Sequence, residues 1–305
     1  MKVLLCNDDG VDAPGLWALY QEISKIADTL VVAPVTERSA VGHGISVYND
    51  VTLRRHIREE QDWGYGLDGT PADCVKMALS TIMKDSPPDL VISGINRGQN
   101  TGTSILYSGT VAAALEATMA GIPAIAISQA LWVTDNDLDM PGKPAATHTS
   151  DIVKALARDA ADYTAAARFA GRLAGQVSQK GLPRGVLLNV NVPMLSEDQI
   201  RGTAISKMGR SIFVDQFKVV GEQNGITSYR NVGDRLLQSP DGDDWDDLVL
   251  HQGKISVTPL HYDMTHYEFL QQLRQWAFEE AVDAAEASVE VAETIGRGLR
   301  AEVHE

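Results

Sequence analysis

The stretch MKVLLCNDDGVDAPGL, residues 1–16, decides the fold class. Its apolar run, residues 2–6, is short and ends in a polar turn, the pattern of a strand buried on both faces of a parallel sheet. Pro14-Gly15 then opens an amphipathic segment, residues 16–26, so the order is strand, polar loop, helix. The same unit recurs: residues 30–33, 90–93 and 124–128 read as buried strands, and 72–83 and 111–120 as helices. Repetition of this kind predicts an α/β fold, a Rossmann-like, doubly wound, mostly parallel sheet with functional loops at the carboxyl ends of its strands.

Further along, the composition of about 129–159 shifts to Asp, Pro, Thr and Ala and reads as a polar insertion before a helical segment at 161–177. Strand character returns at 185–193. Residues 203–237 have period-two character interrupted by Gln223-Asn224-Gly225, a hairpin turn signal. An acidic loop at 241–247 precedes a strand at 254–260, and residues 265–300 are rich in helix formers, with Phe269, Leu273, Trp276 and Phe278 on one face. The predicted organisation is a catalytic core over 1–200 and, over 201–305, a smaller β-hairpin-rich C-terminal appendage ending in a C-terminal helix.

With 26 Lys+Arg against 41 Asp+Glu, the formal charge is -15. Such a chain repels duplex nucleic acid, and if it handles phosphate it must recruit positive charge, most simply as a metal ion. Cys6 and Cys74 lack metal-binding spacing and suit reduced, buried thiols in a cytoplasm. Neither a signal peptide nor a membrane-spanning run is expected.

Three polar clusters follow the predicted strands. Asp8 and Asp9 would point to opposite faces of a continuing strand, and they converge on one cation only if the chain turns, which Gly10 permits. An ordinary Asp-Gly turn is the competing reading. In residues 38–44, Ser39 offers a neutral oxygen ligand or else a turn hydroxyl, and His43 is a candidate acid for a leaving alkoxide. In residues 93–102, Asn96 can give an amide oxygen to the same ion. Asn100, Ser108, Gly109 and Thr110 lead into a helix start that suits a phosphate, although Ser108 or Thr110 equally makes an N-cap. The Gly69-Thr70-Pro71-Ala72-Asp73 segment is explained as a capping-box helix start. The remaining histidines show no metal spacing and read as surface or core residues, with His261 and Asp263 the pair that could approach the cleft.

Taken together, LLCNDDGVDAPGL, VVAPVTERSAVGHGIS, LDGTPADCVKMAL, DLVISGINRGQNTG, YSGTVAAALEATMAGIPAIAIS, LLNVNVP and ISVTPL closely resemble the SurE family of survival proteins, 5′/3′-nucleotidases. The resemblance implies hydrolysis of nucleoside 5′- and 3′-monophosphates, in some members with activity on short polyphosphate, one divalent cation per subunit, and homodimers or homotetramers that exchange C-terminal elements. It carries the metal role onto Asp8, Asp9, Ser39 and Asn96, and phosphate binding onto Asn100 and Ser108 to Thr110. An all-oxygen donor set suits Mg²⁺ or Mn²⁺, with Ca²⁺ also fitting geometrically. Asp9 is expected to align or deprotonate the attacking water, with Asp8 a pure ligand. Adjacent acids speak against a phosphoaspartate route, which calls for Asp-x-Asp. The absence of GxGxxG after the first strand speaks against a dinucleotide oxidoreductase. A non-catalytic nucleotide-binding protein is the alternative from another class.

Overall fold

Side chains alternate across a strand, so an apolar run can feed two hydrophobic layers at once. The computed structural model, which describes residues 1–58, 60–130, 162–232, 235–237, 239, 242 and 244–276, uses the first strand in this way. In β1 (Lys2–Cys6), Val3 and Leu5 pack on one face of the sheet, while Leu4 and Cys6 pack on the other. One layer is closed by α1 (Pro14–Ile23), through Leu16, Leu19 and Ile23, and by an Ala-rich helix at Thr164–Lys180. The other is closed by α2 (Pro71–Met77) and α3 (Gly109–Met119), the latter presenting Val111, Ala113, Ala114 and Ala117.

The remaining strands are β2 (Asp28–Pro34), β3 (Leu53–Arg58), β4 (Gln61–Leu67), β5 (Leu90–Arg97), β6 (Ala124–Gln129), β7 (Val186–Val192), β8 (Thr203–Ile205), β9 (Ile212–Val214), β10 (Phe217–Gln223), β11 (Ile226–Asn231), β12 (Arg235–Leu237) and β13 (Ile255–His261). Eight of them join β1 in one sheet, in the order β3-β4-β2-β1-β5-β6-β7-β13-β8. Pairing is parallel from β4 through β7 and antiparallel at β3–β4 and β7–β13. The chain runs from β1 to β2 on one side and returns to β5 on the other, so the strand order reverses at β1 and β5. Ligands of open α/β sheets bind beyond the carboxyl ends of strands at such a reversal.

The doubly wound, mostly parallel sheet is therefore as expected, and the strands predicted at 2–6, 30–33, 90–93 and 124–128 all belong to it. The hairpin about Asn224-Gly225 is also present: β10 and β11 pair as a separate two-stranded sheet, and β9 with β12 forms another. The β3–β4 pair was not foreseen, and β8, at the start of the stretch read as period-two, joins β13 in extending the main sheet with strands from beyond residue 200. The end of the acidic 241–247 stretch, expected as a loop, is instead the start of a helix, Asp246–His251. Of the expected 129–159 insertion, all but the first two residues lie outside the described ones.

The chain divides into two compact units, Met1–Tyr262 and Asp263–Glu305. In the second, a short helix, Tyr267–Leu273, is followed by a turn in which Trp276 meets Phe269 edge-on. Phe278 and the rest of the expected tail helix are outside the described residues. Among those described, no helix is long and apolar enough to cross a membrane.

At one glycine the site's geometry depends on the absence of a side chain. A Cβ on Gly15, at the start of α1, would lie 2.1 Å from the Ile95 carbonyl oxygen. That clearance sets the amino end of α1 directly against the end of β5.

Candidate active site

Where β1 ends, Asn7 closes the turn that the two acids require. Its Nδ2 donates to the Gly10 carbonyl at 2.9 Å, and its Oδ1 accepts the Gly10 N–H at 3.3 Å. The side-chain amide of Asn7 thus replaces a strand partner, and Gly10 takes φ +106°, a conformation costly for any residue with a Cβ. Released from strand alternation, Asp8 and Asp9 both lie at the carboxyl edge of the sheet.

Asp8 is buried, and its Oδ1 accepts the Thr110 hydroxyl. The start of α3 therefore points its free N–H and positive dipole at Asp8. Gly109 lets it come that close, because a Cβ there would stand 2.8 Å from Asp8 Cβ and 3.0 Å from Pro71 Cγ. Ser108 caps α3 by accepting the Val111 N–H at 3.1 Å. Ser108 is the N-cap, and it also lines the cleft. Thr110 spends its hydroxyl on Asp8 instead of on the cleft.

Asp9 is oriented from β5, accepting the Arg97 N–H at Oδ2 over 3.0 Å. Asn96 donates its Nδ2 to the Gly98 carbonyl at 2.6 Å, which leaves Oδ1 as the free end of its amide. The loop after β2 is tied to Asp8 by the Arg38 N–H, 2.7 Å from the Asp8 carbonyl. Ser39 donates to Glu37 Oε1 at 2.6 Å, so its oxygen lone pairs remain available. Asp8, Ser39, Asn96, Asn100 and Ser108 line one cleft of about 510 Å³, with Arg97, Tyr107, Ile212 and Asp215 also on its wall. Asp9 adjoins that wall through Arg97.

His43 lies elsewhere. Its Nε2 is 2.9 Å from Glu116 Oε2, and Lys76 reaches the other oxygen of the same carboxylate at 2.7 Å. Hydrogen bonding from His43 and then Lys76 holds Glu116 below the usual carboxylate range despite its burial. His43 is not among the residues lining the cleft. It fastens the Ser39 loop, together with Thr70, which donates to the Gly44 carbonyl, and Asp73, which accepts both the N–H and the hydroxyl of Ser46.

Glu37, Asn7 and Tyr163 escaped the sequence reading. Glu37 lies only two positions before Ser39, a spacing that could have flagged it. Tyr163 is buried near Asp9, and its hydroxyl is pushed up to about 12, by burial and then by the Asp9 charge. It follows the insertion, and no local pattern announces it.

Burial pushes both acids up. Asp8 is raised by desolvation against the opposing hydrogen bonds of Thr110. Asp9 is raised from 3.8 to about 7, by burial and then by the charge of Asp8. Asp246, fully buried at its helix start, is raised by burial to about 6. Unfolded, these groups release their protons near pH 3.8; folded, they hold them longer. Folding therefore takes up protons between about pH 4 and 7, and stability falls as pH rises through that window. For Asp9 alone the upper limit is about 4 kcal/mol, at 1.36 kcal/mol per tenfold change. Urea unfolding in chelator is expected to show a protein more stable at pH 5 than at pH 8 by at least about 2 kcal/mol. Equal stability at the two values would contradict the electrostatic picture.

Two adjacent carboxylates that resist ionisation, beside a free amide oxygen and a hydroxyl, form a hard, all-oxygen donor set suited to a small divalent cation. Among the described residues, no group of three or more His, Cys, Asp or Glu side chains is gathered for a metal. Any cation here must therefore rely on neutral oxygens as well as on the two acids.

Comparison with known proteins gives the chain a family. The family model described as "Survival protein SurE" matches residues 3–215. The 5′-nucleotidase SurE of Syntrophobacter fumaroxidans is 40% identical over 276 residues, covering 90% of this chain and 99% of that protein. The protein of the same name from Symbiobacterium thermophilum is 42% identical over 277 residues, covering 90% and 97%. The crystal structure of the SurE protein from Aquifex aeolicus superposes with a TM-score of 0.70 at 30% identity, over 90% of this chain and 98% of that one. On the extent of these matches, this chain belongs to the SurE family.

Proposed function

We propose that this protein is a nucleotidase, hydrolysing nucleoside 5′- and 3′-monophosphates to nucleoside and phosphate in a reaction that depends on a divalent cation. Its relatives named 5′-nucleotidase support the nucleotide substrate. The observation that carries the cation is the pair Asp8 and Asp9, two acids forced together in a buried turn where their charge is unfavourable. Asp8, Asp9, Ser39 and Asn96 would hold Mg²⁺ or Mn²⁺, which when bound neutralises phosphoryl charge and makes water more acidic.

The chain's own groups divide the remaining work. Asp9 keeps one carboxylate oxygen for a water while Arg97 N–H holds the other, so it aligns the nucleophile and receives its proton. Asp8 is kept rigid by Thr110 and Gly109. Asn100 and the Ser108 hydroxyl, at the cleft, bind the non-bridging phosphoryl oxygens. The new P–O bond comes from water, the P–O bond to the nucleoside breaks, the leaving alkoxide takes a proton from solvent, and Asp9 returns its proton to solvent. His43, committed to Glu116, has no part in this scheme.

Release of phosphate from AMP, from 3′-AMP, from p-nitrophenyl phosphate and from short polyphosphate tests the reading. Activity is expected with Mn²⁺ or Mg²⁺ and is expected to vanish in excess chelator and return on metal addition. Turnover insensitive to chelator would exclude a cation-dependent reaction. A protein that binds nucleotide without releasing phosphate would be the non-catalytic binder.

We also propose a homodimer or homotetramer in the cytoplasm. Exposed Phe217, Val219, Val220, Ile226 and Tyr229 on the β10–β11 hairpin support assembly. Cys6 and Cys74, both free and buried, suit a reducing compartment.

A further inference from the structure

Strands β6 and β7 are apolar except for a buried polar patch that packing does not explain. Ser128, Asn189 and Asn191 are each 0% exposed. Burying amides at the centre of a sheet is costly unless they are paired, and here the pairing is directed at one residue. Asn191 Oδ1 accepts the Asn100 N–H at 2.7 Å, and Asn191 Nδ2 donates to the Asn100 carbonyl at 3.0 Å. Asn189 Nδ2 donates to the same carbonyl at 2.9 Å, and the Asn100 side chain donates to Ser128 Oγ at 2.9 Å. Both main-chain polar groups of Asn100 are therefore held by one side chain, as a neighbouring strand would hold them, although Asn100 lies in a loop beyond β5. Two residues on, the Gly102 N–H is gripped by the buried Asp246 carboxylate at 3.1 Å.

We propose that Asn191 is a positioning residue for the phosphoryl site: its amide locks the Asn100 peptide so that the cleft wall from Asn100 to Ser108 is set before substrate arrives. The proposal rests on the nucleotidase reading. Asn191 itself is not among the cleft-lining residues, so it acts through Asn100. Its amide matches both main-chain polar groups of a single residue, which neither an apolar residue nor an acid can do. Displacing a substrate-holding group by about 1 Å can cost about 100-fold in rate.

The test compares wild type, Asn191→Leu and Asn191→Asp with AMP and with p-nitrophenyl phosphate in Mn²⁺, together with inhibition by inorganic phosphate. Asn191→Leu is expected to lower kcat/KM by about 10- to 100-fold, equally for both esters, since the phosphoryl group is what they share. Inhibition by inorganic phosphate should weaken at least about tenfold. Asn191→Asp, which keeps the acceptor for the Asn100 N–H, should fall between. A folded Asn191→Leu protein with wild-type kcat/KM and phosphate inhibition overturns the proposal, as does a loss confined to AMP. Should the variants not fold, amide hydrogen exchange on the wild-type protein decides: the Asn100 amide should be protected like those of the central strands, and exchange at loop rates overturns the proposal. Wild type that releases no phosphate from either ester defeats the nucleotidase reading instead, and the exchange measurement still judges the clamp.

Discussion

Asp9→Asn is expected to reduce phosphate release from AMP by about 1,000-fold or more, corresponding to about 4 kcal/mol of transition-state stabilisation. Asparagine fits the same space and can still accept the Arg97 N–H, so the turn at Asn7–Gly10 should survive. What is lost is the negative oxygen that aligns water, takes its proton and contributes charge to a cation. In the chelated protein the same substitution should increase stability at pH 8, because Asp9 is a buried acid that Asp8 makes still harder to ionise. Its removal should also flatten the decline in stability between about pH 4 and 7. Loss of activity with gain of stability is the signature of a group retained for chemistry. Paired activity assays and urea titrations check both halves. A variant retaining activity within about fivefold would remove Asp9 from the reaction, given that one catalytic proton-transfer group contributes about 100-fold or more.

Gly109→Ala should be nearly as damaging, although Gly109 does no chemistry. At an unconstrained helix position the change from glycine to alanine stabilises by about 1 kcal/mol. Here the added methyl would lie 2.8 Å from Asp8 Cβ and 3.0 Å from Pro71 Cγ. Asp8 cannot move aside without breaking its bond to Thr110, and Pro71 is fixed at the first position of α2. The expected result is a stability loss of about 1–3 kcal/mol, as for other overpacked sites, with at least about a 100-fold fall in phosphate release as Asp8 is displaced. The sign of the stability change is the diagnostic. A thermal melt showing Gly109→Ala more stable than wild type, with unchanged activity, would mean that α3 does not hold Asp8 as described.

These two residues also divide what is legible in the chain from what is not. Local order carried much of the fold: the apolar run before Asn7, the Pro14-Gly15 helix start and the Thr70-Pro71-Asp73 capping box each depend on residues a few positions apart. The capping box formed as read, with Thr70 accepting the Asp73 N–H and Asp73 accepting the Thr70 N–H. The same Asp73 also binds Ser46, and that second use depends on a contact 27 positions away. The β3 and β4 strands were missed for a related reason. Leu53–Arg58 carries Arg54, Arg55 and His56, a poor apolar pattern, because an edge strand needs only a neighbour's hydrogen bonds and little burial.

By itself the sequence determined the alternating architecture, the turn at Gly10, the hairpin at Asn224-Gly225 and a cluster of oxygen-bearing side chains after successive strands. Periodicity and turn chemistry act over a few residues, and they can be read in one dimension. Only the tertiary structure decided which of those side chains meet, and for what purpose. It turned Thr110 and the start of α3 onto Asp8, committed His43 to Glu116, and made two buried asparagines of β7 the partners of Asn100. Each of these pairings joins a polar group to a partner chosen by packing, and burial is what makes the choice strict. A donor or acceptor shut away from water must find its partner wherever the fold has placed it.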